Sequence, residues 1–511
     1  MSELFATVPT NIHIPNIIEE ELSYSTQELC AVVLDHERKM NKDQIQVYNK
    51  VIEAVFSPAP KSTLFFLDGP GGTGKTFVYN TILAKIRSIG NIALAVASSG
   101  ISAELLDGGR TAHSRFKIPI PILDTSTCNI PIQSSLAELV RNASIIIWDE
   151  APMMHRYVFE CVHRTLCDIM KSENPFGGKI VLLGGDFRQV LPVIHHGSQA
   201  DVIFSSLQHS FLWTHVCKLQ LTINMRVHTF NTRKGVSNVD TSFEKFLLKI
   251  GNGTEEYYSH LGISKIRLPA QICIAPDECG LDNLIKRVYP DLGKKAFDQE
   301  ICNRAILSAT NERVDFINQK IMEAFKSDSC EVYLSADSVH DPSETYIYPT
   351  EFLNSLTPSG LPLHSLFLKK YSPIILIRNL NPKEGLLNGT KLAVINLGRR
   401  IIEAKIMTGK HSGKMVFLPR ITLTPSDSGL PFQLQRRQFP VRPAFAMTIN
   451  KCQGQTLDYV GIDLTQPIFT HGQLYVALSR VRSFDSVSIL PNLQCLDCYY
   501  TDNVVYKDVL L

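Results

Sequence analysis

The sequence predicts an α/β protein of two lobes, the second interrupted by a small inserted β domain. Three observations predict it. A glycine-rich phosphate-binding pattern, Gly69 to Thr76, stands between an apolar run and a helical repeat. Short apolar runs then recur with gaps long enough for crossover connections, the signature of a parallel sheet covered by helices. A second set of such runs begins near Ala305, and residues 356–443 inside it alternate short β-like runs with turn signals.

The elements follow in chain order. Ser62 to Leu67 reads as a strand, and Val78, Ile82 and Ile86 recur at helical spacing over Thr76 to Arg87. Ile92 to Ala97, Ser144 to Trp148 and Lys179 to Leu183 supply further strands. In the second set Ala305 to Ala309 reads as a strand, with Val314, Ile317 and Ile321 on one face of the next helix. Ile374 to Ile377 and Lys391 to Ile395 read as strands of the insertion, punctuated by Asn388-Gly389 and Pro425-Ser426; Tyr459 to Leu464 and Gln473 to Arg480 then give a last strand and helix. The expected boundaries are a polar acidic leader at 1–35, a first lobe at 36–218, a second lobe begun at 219–355 and completed at 444–511, and the insertion at 356–443.

With 511 residues, 44% apolar and 20% charged, the chain is long enough for several cores and is neither collagenous nor wholly disordered. The net charge of +2 is uninformative, but its distribution is not: between 361 and 460 fifteen Lys or Arg face four acids. Lys369, Lys370, Arg378, Arg399 and Arg400 are candidates to track a polyanion there, with a solvated basic face as the alternative. Twelve irregularly spaced cysteines read as reduced thiols, and Cys495 and Cys498, the single CxxC, lack the further ligands a zinc site needs. No apolar run approaches the ~18 residues of a membrane span. Residues 1–30 hold five Glu and no Lys or Arg, opposite to a mitochondrial transit peptide, so the expected location is the nucleus of a eukaryote or otherwise the cytoplasm, without membrane contact.

The chemistry begins at Gly69-Pro70-Gly71-Gly72-Thr73-Gly74-Lys75-Thr76. Glycines let backbone N–H groups close on phosphates, the helix N-terminus adds positive potential, Lys75 reaches the β and γ phosphates, and the Thr76 hydroxyl ligates magnesium. Ile145 to Glu150 ends an apolar strand in two carboxylates; Asp149 is expected on magnesium and Glu150 as the base that polarises the attacking water. ATP and Mg2+ are therefore the expected cofactors. Gln189, in Gly184 to Gln189, is a candidate sensor of the γ phosphate. These residues define a nucleoside triphosphatase without saying what its hydrolysis drives.

Taken in order, the segments from Gln44 to Arg480 resemble the motifs of superfamily-one, B-type helicases, in particular the petite-integration-frequency (Pif) family. Asn41 to Gln44 looks like that family's adenine-reading segment, with Gln44 on the base. Ser98 to Ala103 and Gly109 to Phe116 look like its single-strand DNA contacts, and Ala151 to Met170 takes the place of its signature helix. Asn224-Met225-Arg226 matches a motif whose arginine faces the γ phosphate. Met447 to Leu457 (MTINKCQGQTL) and Tyr475 to Val481 (YVALSRV) complete the set, with Gly454 on the nucleotide side and Arg480 as a second arginine finger.

The resemblance implies two RecA-like lobes with an inserted small β-barrel. It also implies ATP-dependent 5′-to-3′ translocation on single-stranded DNA with duplex unwinding, a mostly monomeric motor acting at single strands and duplex junctions, and roles in repair, recombination, telomere maintenance or transposition. The DNA-binding candidates are Ser98, His113, Ser114, Phe116, Thr448 and Lys451, with a core position as the alternative for Phe116. The segments DEAPM from Asp149, FGGK from Phe176, GDFRQVLPV from Gly185 and LNGT from Leu387 are similar to the helicase part of Helitron transposons. Unlike a full Helitron protein, the chain has no room for an upstream nuclease and no His-x-His in its leader, which leaves a free-standing helicase or a transposon remnant. Cys452 stands where the family commonly has Ser, so a hydroxyl contact to DNA is not expected there. A nucleotide-dependent DNA scaffold without motor activity is the alternative function. An RNA helicase of superfamily two fits poorly, because Gln473 to Arg480 does not follow that group's QxxGRxxR arrangement.

Overall fold

The computed structural model describes residues 17–194, 197–225, 241–258, 260–262, 264–292, 299–341, 343, 346–425, 429–495 and 498–511. The first lobe is built on β1 (Leu64–Asp68), β2 (Ile92–Ala97), β3 (Arg110–Thr111), β4 (Ala143–Asp149), β5 (Ile180–Gly185) and β6 (Cys217–Gln220), in the spatial order β3-β2-β4-β5-β1-β6. Every recorded pairing in it is parallel. The central strands read as unbroken apolar runs because both of their faces are covered. On β4, Ile145 and Ile147 pack toward Val78, Tyr79 and Ile82 of the helix Lys75–Ser88, while Ile146 and Trp148 pack the other way toward Phe116 and Phe159.

The leader is not set apart from this lobe. Helices Ile17–Leu22 and Thr26–Lys39 lie against it, and the buried Glu21 carboxylate sits 2.5 Å from Arg115 and 3.7 Å from Arg87. The expected boundary at residue 35 thus cuts through a folded unit, because a glutamate between two buried guanidinium groups ties the helix Ile17–Leu22 to the helices Lys75–Ser88 and Ala112–Phe116 of the first lobe.

The second lobe carries β7 (Lys265–Leu268) and β8 (Arg304–Ser308), and the insertion begins soon afterwards with β9 (Cys330–Leu334) and β10 (Ala336–Val339). It continues through β11 (Ser365–Lys369), β12 (Pro373–Leu376), β13 (Lys391–Leu397), β14 (Ile401–Ile406), β15 (Met415–Pro419), β16 (Ile421–Leu423), β17 (Leu434–Gln438) and β18 (Val441–Pro443). The lobe resumes with β19 (Ala446–Thr448), β20 (Tyr459–Asp463), β21 (Val487–Leu490), β22 (Leu493–Cys495) and β23 (Cys498–Asp502). Its parallel sheet runs β19-β8-β20-β21, and an antiparallel β22-β23-β7 sheet lies beside it.

The insertion consists of the sheets β15-β14-β13-β12-β18, β10-β17-β16 and β11-β9, all antiparallel. It therefore starts near residue 330 rather than 356: β9 and β10 pair with β11 and β17, although most of their side chains are exposed and give no apolar run to read. Among the described strands β15 and β18 remain edges of the largest sheet, so hydrogen bonding does not close it into the expected barrel. The basic excess is also smaller at the surface than in the sequence. Lys391 is buried with its ammonium on the Cys302 carbonyl, and Arg436 is buried against the Asp337 carboxylate, whereas Arg399 and Arg400 are exposed. Among the described residues no helix is long and apolar enough to cross a membrane.

Candidate nucleotide site and its link to the second lobe

The carboxyl ends of β1, β4 and β5 converge on one rim, where ligands of parallel α/β sheets are held. β1 delivers the phosphate loop. Gly72 and Gly74 have φ of +97° and +88°, and Gly74 opens the helix Lys75–Ser88. A Cβ at Gly74 would lie 2.6 Å from Gln44 Nε2, so the close approach of Gln44 requires glycine there. Gln44 is buried, donates its side-chain amide to the Thr73 carbonyl at 3.1 Å, and is fixed by a capping box with Asn41. Lys75 donates to the Gly69 carbonyl across the loop, and the Thr73 hydroxyl donates to Pro70 O at 3.0 Å.

β4 delivers the acid pair. Asp149 Oδ1 accepts the Glu150 N–H at 2.9 Å, and Glu150 adopts φ +54°, a left-handed conformation costly for a side chain with a Cβ. Burial, reinforced by the Glu150 charge and opposed by Lys75, pushes the Asp149 carboxyl up to about 7. Burial raises Glu150 as well, against the pull of Lys75 and Arg480. The Ser98 hydroxyl donates to the Glu150 carbonyl at 2.7 Å, and Ser98 N–H donates to Asp149 O at 3.1 Å. Ser98, expected on DNA, thus has its hydroxyl turned onto the backbone of the acid pair.

A cavity of about 700 Å³ joins these groups. From the first lobe Gly71, Lys75, Thr76, Asp149, Glu150 and Gln189 line it, and from the second Gly454 and Arg480, with Lys391 from the insertion. Arg480 is buried and donates to the carbonyls of Val476 (2.9 Å) and Gln455 (3.2 Å), so its guanidinium is anchored at the cavity wall. Gln189 Oε1 accepts from Gln453 Nε2 at 3.2 Å, a contact between the lobes. Arg226 lies outside the described residues, whereas its neighbours Asn224 and Met225 are placed: Asn224 Nδ2 donates to Gly71 O at 3.4 Å and Met225 lines the cavity.

The DNA candidates divide. Ser114 is exposed and His113 half-buried on the short helix Ala112–Phe116, and Lys451 is exposed on the turn Ile449–Cys452. Thr448 is largely buried at the end of β19. Phe116 is fully buried and stacked on Trp148 at 5.8 Å, so it has no ring face to offer a base; a five-residue helix is too short for periodicity to reveal its inner side. Cys452 is buried with its thiol on the Ile449 carbonyl at 2.9 Å, filling core volume.

One group of side chains at the site is missing from the sequence expectations. Tyr475 accepts the Gly71 N–H at 3.1 Å and donates to Asp186 Oδ2 at 2.8 Å. Asp186 Oδ1 accepts from Arg188 at 3.1 Å, and Arg188 lies 3.7 Å from the Asp68 carboxylate. Asp68 and Asp186 close the apolar runs of β1 and β5, and a carboxylate at the end of a buried parallel strand is the signal that marks them.

A phosphate loop, an acid pair on a neighbouring strand end and an arginine presented by a second α/β lobe define a two-lobed, RecA-like P-loop nucleoside triphosphatase. The PIF1-like helicase profile matches residues 39–260, and a profile of the DNA helicase Pif1 2B domain matches residues 351–397, within the insertion. Over these two segments the chain resembles the PIF1-like helicase family. It is 26% identical over 464 residues to the ATP-dependent DNA helicase Pif1 of Campylobacter jejuni, covering 87% of this chain and 92% of that one. With the ATP-dependent DNA helicase PIF1 of Danio rerio the identity is 25%, over 90% of this chain and 62% of the relative's length. The fold matches crystal structures of Pif1 helicase from Candida albicans (TM-score 0.60, 21% identity, 92% and 98% of the two chains) and from Bacteroides with ADP-AlF3 and single-stranded DNA (TM-score 0.62, 21%, 89% and 93%).

Proposed function

We propose that this protein is an ATP-dependent DNA helicase that moves 5′ to 3′ along single-stranded DNA and opens duplex junctions. The observation that carries the reading is the cavity in which Lys75, Thr76, Asp149 and Glu150 of one lobe face Arg480 of the other. Hydrolysis in such a cleft needs positive charge from both sides, so its completion is tied to lobe closure.

ATP enters with its phosphates on the Gly69–Thr76 loop and its base toward Gln44. Glu150, held in its strained turn beside the γ position, orients and deprotonates the attacking water, while Lys75 and Arg480 stabilise charge on the transferred phosphoryl group. Arg226 is proposed to add a second arginine. The residues fit a magnesium ion: the Asp149 carboxyl is raised by burial and by Glu150, a condition a cation relieves, and Thr76 lies in the same cavity wall. Among the described residues no cluster of three His, Cys, Asp or Glu forms a metal cage, as suits an ion shared with phosphates. That ion would neutralise the developing phosphate charge.

His113, Ser114, Thr448 and Lys451 are proposed along the DNA path, and Gln189 as a relay between the lobes. The five domains are proposed at the sequence boundaries, with residues 17–39 joined to the first lobe and 330–355 to the insertion. A nuclear location in a eukaryote, or otherwise a cytoplasmic one, is proposed from the acidic leader, and roles in repair, recombination, telomere maintenance or transposition and a Helitron-like origin rest on the motif resemblance.

Purified protein is tested on duplexes with a 5′ or a 3′ single-stranded tail, with and without ATP and magnesium. Unwinding of the 5′-tailed duplex alone, lost in Lys75→Ala and Glu150→Gln, is the expected result. Unwinding that survives either substitution refutes the reading, and DNA binding without DNA-stimulated phosphate release replaces the motor with a scaffold.

A further inference from the structure

Among the polar groups around the phosphate loop, one joins both lobes through a single atom. The Tyr475 hydroxyl accepts the Gly71 N–H at 3.1 Å and donates its proton to Asp186 Oδ2 at 2.8 Å. The direction of both bonds follows from chemistry. An amide nitrogen only donates, so the phenol oxygen is the acceptor there, and its single proton is left for the carboxylate. Burial pushes the phenol well above its ordinary value, so it stays protonated near neutral pH.

The neighbourhood is built to hold this arrangement. Tyr475 and Asp186 are fully buried. Asp186 is fixed from its other oxygen by Arg188, which is itself held by Asn252 Oδ1 at 2.7 Å. One turn further along, Ser479 lies against the same glycine: a Cβ at Gly71 would be 3.6 Å from Ser479 Cβ and 3.9 Å from the Tyr475 hydroxyl. The helix Gln473–Leu478 therefore presses one face onto Gly71, and Arg480 follows directly after it. A second clasp ties the same region to the loop after β5, where His471 Nε2 lies 2.7 Å from the Phe187 carbonyl.

We propose that Tyr475 is a positioning residue that couples occupancy of the phosphate loop to the placement of Arg480. Backbone N–H groups of such a loop are phosphate donors, and here the Gly71 N–H is given to the second lobe instead. A phosphate oxygen arriving at Gly71 competes with the Tyr475 oxygen for that proton, while the bond to Asp186 keeps the helix in register. Exchange of one acceptor for another then releases one of the two bonds that hold this helix, and with it the placement of Arg480 just beyond its end. The inference rests on the motor reading above and adds a residue that acts through Arg480 rather than on substrate.

Tyr475→Phe keeps the ring and removes only the hydroxyl; Asp186→Asn keeps the shape and removes the charge that receives its proton. Both are compared with the unaltered protein for ATP turnover with and without single-stranded DNA, for ATP KM, and for thermal unfolding. The expected result for Tyr475→Phe is a fall of at least about tenfold in DNA-stimulated kcat, a KM change below about threefold, and an unfolding midpoint lowered by only a few degrees, from the buried Asp186 oxygen left without its donor. The double variant is expected to be no slower than the slower single one, because both remove one linkage. DNA-stimulated kcat within twofold of the parent in Tyr475→Phe overturns the coupling and leaves the motor standing. A parent protein with no DNA-stimulated turnover overturns the motor reading and the coupling with it.

Discussion

Replacing Asp149 by Asn tests whether the acid pair is held at a cost that ligand binding relieves. In the folded protein burial, reinforced by the Glu150 charge and opposed by Lys75, pushes the carboxyl up to about 7 from its ordinary 3.8. The folded state therefore binds more protons than the unfolded one between those values, and stability falls as pH rises through that window. At ~1.4 kcal/mol per pH unit, the full interval amounts to about 4 kcal/mol, and the part between pH 5.5 and 7 to about 2 kcal/mol. Asp149→Asn removes that contribution. Urea unfolding without nucleotide is expected to show the variant gaining about 2 kcal/mol on the parent between pH 5.5 and pH 8. Added magnesium and ADP are expected to stabilise the parent and to stabilise the variant much less. A parent and variant that keep a constant difference across this pH range would refute the argument, since Asp149 would then be an ordinary ionised carboxylate.

Two further outcomes separate packing from function. Phe116→Leu, a swap of apolar volume beside Trp148, is expected to cost about 1 to 1.5 kcal/mol in urea unfolding and to leave single-strand affinity within twofold; loss of DNA binding by the folded variant would return Phe116 to the DNA path. Glu21→Gln leaves Arg115 and Arg87 without their carboxylate and is expected to destabilise the first lobe by about 3 to 5 kcal/mol, with little dependence on salt; an unchanged unfolding midpoint would show that the leader helices are not part of the lobe's fold.

What the sequence made legible follows from how each segment is buried. Ile92–Ala97 has the same bounds in sequence and structure because a strand covered on both faces is apolar from end to end. The start of the insertion was not legible, because β9 exposes four of its five residues and offers no alternation to find. Charge counting misled in the same region for a related reason: Lys391 and Arg436 count as basic residues, yet one meets a carbonyl and the other a carboxylate in the interior. At the nucleotide site the glycines and the acid pair were legible as local patterns. The linkage through Tyr475 was not, since its partners Gly71 and Asp186 lie 404 and 289 residues away and only folding brings them together.

That linkage and the position of Ser98 bear on how a strand of DNA and a nucleotide can sense one another. Ser98 begins the segment after β2 expected near DNA, and its hydroxyl rests on the carbonyl of Glu150. A displacement of that segment therefore acts on the backbone of the base without any intervening residue. From the opposite side, Tyr475 ties the helix preceding Arg480 to Gly71. On the proposed reading, DNA that shifts either segment bears on Glu150 or on the placement of Arg480, which line the same cavity from different lobes.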